Sequence, residues 1–360
     1  MDVTQLVKKD VLKQTAYYID ERSCAVKLDA NENPYSLSPS LRELVGDCIG
    51  RISMNRYPAP GSPELREKFA AKWGVDADMI VIGNGSDELI QLLLMTLDAP
   101  AAGGVVIPVP TFGMYAIATG NTGHRILEVP LDDRFDLDLD AIRALITGHR
   151  PELIFLSYPN NPSGNCFSRD RIESIIGEFP GIVVVDEAYF NFSGKTFLPD
   201  LKDHDNLVIL RTLSKVGLAA LRLGILMAHP RLVAEMNKVR LPYNLNSLSQ
   251  AIGGLYVDRE AEFLAPVETI VKEREKLYAA MTKIAGITPC PTDANFILFS
   301  CHVDKDGVYG TLIKRGILIK HFPGSGVLKD RMRVTIGTEY ENKEFIRALR
   351  SALGEESDIT

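Results

Sequence analysis

Cysteine is scarce and scattered in this chain: Cys24, Cys48, Cys166, Cys290 and Cys301 are five in number and include no CxxC pair. An odd, widely spaced set argues against a disulfide framework and against a zinc site. The six histidines show no HxH or HxxxH spacing, so no metal is expected. Dense lysine and arginine runs are absent as well. With a formal net charge of −7 the chain lacks the clustered positive charge of a general nucleic-acid surface. No apolar stretch approaches the length needed to span a bilayer, and the opening MDVTQLVKKDVLKQ lacks the apolar core of a signal peptide. A cytoplasmic protein with no membrane or nucleic-acid partner is the expectation. There is no internal repeat and no low-complexity tract.

What is present is an ordinary globular composition, 46% hydrophobic and 24% charged, over 360 residues, enough for a large domain carrying a smaller one. Short apolar runs recur at 79–83, 105–109, 125–131, 153–158, 182–188, 207–212 and 223–229, with helical patterns such as 86–97 and 139–147 between them. Runs apolar on both faces and separated by helices predict an α/β domain built on a mostly parallel sheet of about seven strands, flanked by helices. After residue 255 a long charged helical pattern leads to strands at 294–299, 316–320 and 332–337 and a closing helix, a smaller α+β part. The expected division is 46–255 for the large domain and 256–360 for the small one, with 1–45 an arm and part of the small domain.

Chemistry-bearing residues stand at the ends of these strands. RTLSKVGLAALRLG, residues 211–224, sets Lys215 between hydroxyl side chains and an apolar run, with Arg222 seven positions on. Burying an ammonium is costly unless it is paired or chemically used, so Lys215 reads as a reagent. Asp186 closes the strand IVVVD, where α/β sheets place ligands, although an acid there also caps turns. YPNNPSG, 158–164, is a rigid turn able to hold Asn160 and Asn161 at the same edge, or simply a turn. IGNGSDEL brings a strand through a glycine loop to a helix start at Ser86, Asp87 and Glu88; the third glycine of GxGxxG is missing, which leaves a phosphate cradle or a plain helix cap. A phosphate cradle, an asparagine turn, an acid, and a lysine with hydroxyls and an arginine beside it match the needs of pyridoxal phosphate. Its aldehyde forms a Schiff base with an amine, and its ring nitrogen needs a carboxylate.

These motifs, together with KLDANENPY (27–35), NRYPAPGSPELR (55–66), PTFGMY (110–115), LPYNLNSLSQ (241–250) and MRVTIGT (332–338), run through nearly the whole chain. The sequence resembles the fold-type I pyridoxal-phosphate aminotransferases of class II, and more closely the histidinol-phosphate aminotransferases. The resemblance implies that Lys215 carries the cofactor and shuttles a proton, that Asp186 pairs with the ring nitrogen, and that Asn161 and Tyr189 bond the ring oxygen. Phe112 then stacks on the ring where relatives have tyrosine. Gly85, Ser86, Asp87, Thr212, Ser214 and Arg222 hold the phosphate, and Tyr57 reaches the phosphate of a second subunit, which implies a homodimer with shared sites. Arg333 is implied to bind the carboxylate of glutamate and the phosphate of histidinol phosphate, with Lys320 where relatives have a second arginine. Tyr17, Asn33, Asn295 and Tyr115 are further expected members of the substrate pocket. The implied reaction moves an amino group between histidinol phosphate and 2-oxoglutarate. Alternatives on the same scaffold are an aromatic or broad-range aminotransferase and threonine-phosphate decarboxylase.

Overall fold

The computed structural model describes residues 1–12, 20, 22–100, 102–323 and 326–354, with the backbone only for Lys9 and Asp10. Tyr17 lies outside the described residues. Each of the seven apolar runs forms one strand: β2 (Ile80–Asn84), β3 (Val105–Val109), β4 (Ile126–Pro130), β5 (Leu153–Ser157), β6 (Ile182–Asp186), β7 (Leu207–Thr212) and β8 (Leu223–Met227), preceded in the chain by β1 (Val26–Leu28). They form one sheet in the order β2-β8-β7-β6-β5-β3-β4. Strand β8 is antiparallel to both neighbours and the other pairings are parallel. The inner strands are buried on both faces. Val183 and Val185 enter one apolar cluster with Ile172 and Phe197, while Val184, Val208 and Leu210 enter another with Leu89 and Leu93 of the helix Ser86–Thr96. Edge strand β4 alternates exposed and buried residues, as one solvated face requires.

A second sheet takes β1 together with β9 (Ile287–Pro289), β10 (Phe296–Cys301), β11 (Ile317–His321) and β12 (Arg331–Thr335), in the order β1-β11-β12-β10-β9. The pattern before residue 35 carries too little periodicity to announce a strand. Val26–Leu28 becomes one because β11 offers a free edge, pairing Val26 with Ile317 and Leu28 with Ile319 in parallel. The charged pattern after residue 255 is the helix Glu260–Met281, which turns Phe263, Val267, Ile270 and Leu277 inward. The closing helix Glu339–Ala352 is fixed by a reciprocal cap between Thr338 and Glu341.

The parallel strands deliver Ser157, Asp186 and Thr212 to one edge of the large sheet. Strand order reverses between β3 and β5, because β4 lies on one side of β3 while β5, β6 and β7 follow on the other. A crevice forms outside the carboxyl ends of strands at such a reversal.

Candidate active site

Lys215 sits in the ten-residue link between β7 and β8. The antiparallel turn-back has to be completed in that span, and two left-handed residues do it: Gly217 at φ 100° and Arg222 at φ 49°. Glycine adopts such angles without a Cβ clash, so the chain can turn back within the seven positions from Lys215 to Arg222. Lys215 is half-buried; its Nζ lies 3.4 Å from the carbonyl oxygen of Ala30 and 5.8 Å from the centre of the Tyr189 ring.

The same link carries hydroxyls to the first turn of the helix Ser86–Thr96. Thr212 and Ser214 share a hydrogen bond of 2.9 Å, and the Arg222 guanidinium reaches Ser214 Oγ at 3.4 Å and Asp87 Oδ2 at 3.0 Å. Gly85 precedes the helix at φ 84°, and a Cβ there would fall 2.6 Å from Arg222 Nη2. Gly85, Ser86, Asp87, Thr212, Ser214 and Arg222 are thus brought together as a helix start, hydroxyls and a cation, a donor set suited to phosphate, with the Gly85 N–H itself donating to the Gly83 carbonyl at 2.9 Å.

Asp186 is fully buried. One carboxylate oxygen accepts from the Tyr115 hydroxyl at 2.7 Å and the other from the Ala188 backbone N–H at 3.0 Å. Burial pushes its pKa up to about 6, against the downward pull of those two donors, while Asp87 and Glu187 add like-charge repulsion. The neighbouring Glu187 faces away, into a buried pair with Arg211 at 2.8 Å that is also bonded by Thr196 and the Phe197 N–H. Phe112, half-buried, meets Tyr115 edge to face with ring centres 5.5 Å apart.

The asparagine turn divides its labour. Asn160 is fully buried, donating to the Pro110 carbonyl at 3.0 Å and accepting from the Thr111 hydroxyl at 2.8 Å, so it clips the loop after β5 to the loop after β3. Asn161 accepts from Nη1 of Arg333, whose Nη2 donates to the Asp29 carbonyl at 2.7 Å. Arg333 is only 7% exposed and stands opposite Lys320 in the pairing of β11 with β12. Burial and the Arg333 charge lower the Lys320 pKa. Tyr189 is buried, its hydroxyl oxygen accepting from Asn31 Nδ2 at 2.9 Å.

The pattern of the family described as aminotransferase class I and II matches residues 24–349. The chain belongs to that family. Among curated relatives of this aminotransferase, histidinol-phosphate aminotransferase 2 of Nitrosococcus oceani is 41% identical, covering 97% of this chain and 98% of its own. The histidinol-phosphate aminotransferase of Aquifex aeolicus is 38% identical over the same shares. The solved histidinol-phosphate aminotransferase of Sinorhizobium meliloti, in complex with pyridoxal-5′-phosphate, superposes with a TM-score of 0.84 at 22% identity, covering 94% of this chain and 96% of that one. The aminotransferase therefore has the fold-type I architecture.

The structure also places the other expected site residues of the aminotransferase. Tyr115 and Asn295 are 0% exposed. The Tyr115 hydroxyl donates to Asp186, and Asn295 donates to the Asn31 carbonyl at 3.1 Å. Asn33 packs beside Gly217, with its Nδ2 buried and without a hydrogen-bond partner, while its Oδ1 accepts from the Tyr35 N–H. Tyr57 is 80% exposed and stacks on Tyr243 at 4.5 Å. Asn31 is the residue that sequence reasoning passed over. It lies in the quoted stretch KLDANENPY, but nothing local shows that its amide reaches Tyr189.

Proposed function

We propose that this aminotransferase moves an amino group between L-histidinol phosphate and 2-oxoglutarate, giving imidazole-acetol phosphate and glutamate in histidine biosynthesis, with pyridoxal 5′-phosphate as cofactor. The names of the relatives that match nearly end to end support this reading. The observation that carries it is Arg333, a buried fork held between Asn161 and the Asp29 carbonyl, with Lys320 beside it. Paired cations of this kind suit an anion that is a phosphate in one substrate and a carboxylate in the other.

The residues present fit the cofactor: the glycine at position 85 leaves Arg222 room at the helix amides, and the orphaned Asn33 Nδ2 lies against Gly217, two residues from Lys215. When bound, pyridoxal phosphate supplies an aldehyde that captures amines and a ring that accepts the electrons released at the substrate Cα. Lys215 would hold it covalently and, once displaced by the substrate amine, would move the proton between the substrate Cα and the cofactor C4′. Asp186 keeps the ring nitrogen protonated, Asn161 and Tyr189 bond the ring oxygen, and Phe112 covers one face. Backbone groups at Gly85, Ser86 and Asp87, with Thr212, Ser214 and Arg222, bind the phosphate. Residues 46–255 form the cofactor-binding domain in this reading, and 256–360 with part of 1–45 the domain that brings Arg333. A second copy docks on the exposed apolar patch of Met54, Tyr57, Leu241 and Tyr243 and lends Tyr57 to its partner's phosphate. The protein acts in the cytoplasm; its five cysteines are free.

Borohydride reduction followed by peptide mapping tests the cofactor assignment, with Lys215 as the expected labelled residue; a label on another lysine overturns it. Steady-state rates with histidinol phosphate, phenylalanine and threonine phosphate test the substrate. Histidinol phosphate is expected to have the highest kcat/KM, and a preference for phenylalanine, or release of carbon dioxide from threonine phosphate, overturns the assignment.

A further inference from the structure

We propose that Tyr115 is a positioning residue of the cofactor site: its buried hydroxyl aims the Asp186 carboxylate and keeps it ionised, so that the proton they would otherwise share stays on the ring nitrogen of the cofactor. The inference rests on the cofactor assignment above.

The geometry fixes both partners. Tyr115 lies in the helix Met114–Thr122, just after the loop that carries Phe112, and its ring stacks on Phe155 of β5 at 4.6 Å with planes 3° apart. Phe112 meets the same ring at right angles, and the hydroxyl lies 2.7 Å from Asp186 Oδ2 with the Ser157 side chain also in reach. Burial and the adjacent carboxylate push the Tyr115 pKa far above its ordinary value, so the phenol is the donor and the carboxylate the acceptor. Asp87, in the helix after β2, and Glu187, next in its own chain, both act on Asp186 as like charges. The Arg211 guanidinium, on the neighbouring strand, is engaged with Glu187 instead. Two hydrogen bonds, from Tyr115 and from the Ala188 N–H, are therefore what holds the carboxylate as an anion inside the core. A donor to the charged form lowers its affinity for a proton. A ring nitrogen paired with Asp186 competes for that proton, and Tyr115 biases the competition toward the ring. It does so without touching substrate, since it is sealed below the cleft. Through Phe112 the same side chain also sets the aromatic surface proposed for the ring face.

The test compares Tyr115→Phe, Asp186→Asn and the double variant with the wild-type protein, reading the dissociation constant of pyridoxal phosphate by absorbance titration across pH. Tyr115→Phe removes one oxygen and is expected to weaken binding about tenfold, the worth of a hydrogen bond to a charged group. It is also expected to move the acidic limb of the binding profile to higher pH. In the Asp186→Asn background the same change is expected to matter less than about twofold, because the partner charge is gone. Incorporation of 3-fluorotyrosine at position 115, a stronger donor of nearly the same shape, is expected to move the limb the opposite way and needs no cavity to be tolerated. In catalysis, Tyr115→Phe is expected to lower kcat and leave KM nearly unchanged. Equal binding by wild type and Tyr115→Phe at every pH, equal losses in both backgrounds, or an unmoved limb with fluorotyrosine overturns the inference while the cofactor reading stands. Wild-type protein that takes up no pyridoxal phosphate overturns the cofactor reading and this inference with it.

Discussion

The side-chain amide of Asn31 donates to the Tyr189 hydroxyl oxygen across 2.9 Å, joining the chain just after β1 of the small sheet to the chain just after β6 of the large one. Because the amide is the donor, the phenolic proton of Tyr189 is free to be given to a third group, the direction needed to bond a ring oxygen. Asn31 is itself held on every side: its N–H donates to Thr335 Oγ1 at 2.9 Å, its Oδ1 accepts from that hydroxyl at 3.3 Å, and its carbonyl accepts from Asn295.

Asn31 adopts φ 55°, a left-handed backbone that asparagine tolerates better than alanine. Replacing it tests both roles. Asn31→Ala is expected to destabilise the protein by about 2–3 kcal/mol, from the left-handed backbone and the buried groups left unpaired. Asn31→Gly keeps the backbone angle and should recover about 1 kcal/mol of this. Urea denaturation measures the difference, and equal losses would show that the backbone angle is not strained.

Gly85→Ala probes the phosphate cradle. The added Cβ meets Arg222 Nη2 at 2.6 Å, and the long arginine side chain can swing away, so the fold should survive with a loss of about 1–2 kcal/mol from the left-handed angle. Affinity for pyridoxal phosphate should fall more sharply than stability. Absorbance titration and thermal melting on the same sample compare the two, and unchanged affinity would remove Arg222 from the phosphate site.

Glu187 and Arg211 form a pair with both side chains buried. Glu187→Ala strands the guanidinium beneath Phe190 and Trp73 and is expected to destabilise the protein by about 3–5 kcal/mol. The double change Glu187→Leu with Arg211→Met should be milder than the single one, since no buried charge is left alone. Chemical denaturation of the two variants decides it.

Asp186 ties stability to pH. Its pKa is raised from 3.8 to about 6, so the folded protein holds this proton more tightly than the unfolded chain does. Its contribution is fully present below the unfolded value and is lost as pH rises through about 6. Measured without cofactor, wild type should lose on the order of 3 kcal/mol relative to Asp186→Asn as pH is raised from about 4 to about 7. Parallel melting curves of the two proteins across that range would show that Asp186 does not titrate there.

Much of this molecule is legible along the chain. Seven apolar runs became seven strands because a strand buried on both faces needs a continuous apolar stretch, which is a local property. Asp186 and Thr212 reach one edge for the same reason, since they end neighbouring parallel strands. Other features depend on distant partners. Val26–Leu28 is too short to announce itself and is a strand only because β11 lies open beside it. Tyr115 and Asn295 carry the composition of pocket residues, yet packing turns one onto Asp186 and the other onto Asn31. Asn160 and Asn161 are adjacent and alike in sequence, and only the pairing of loops decides that the first clips β3 to β5 while the second meets Arg333. The sequence by itself determined the seven strands of the large sheet and which reagents stand at their ends, because periodicity and turn chemistry act over a few residues. Which side chains meet was decided by tertiary structure alone, because those contacts join residues as far apart as Asn31 and Thr335.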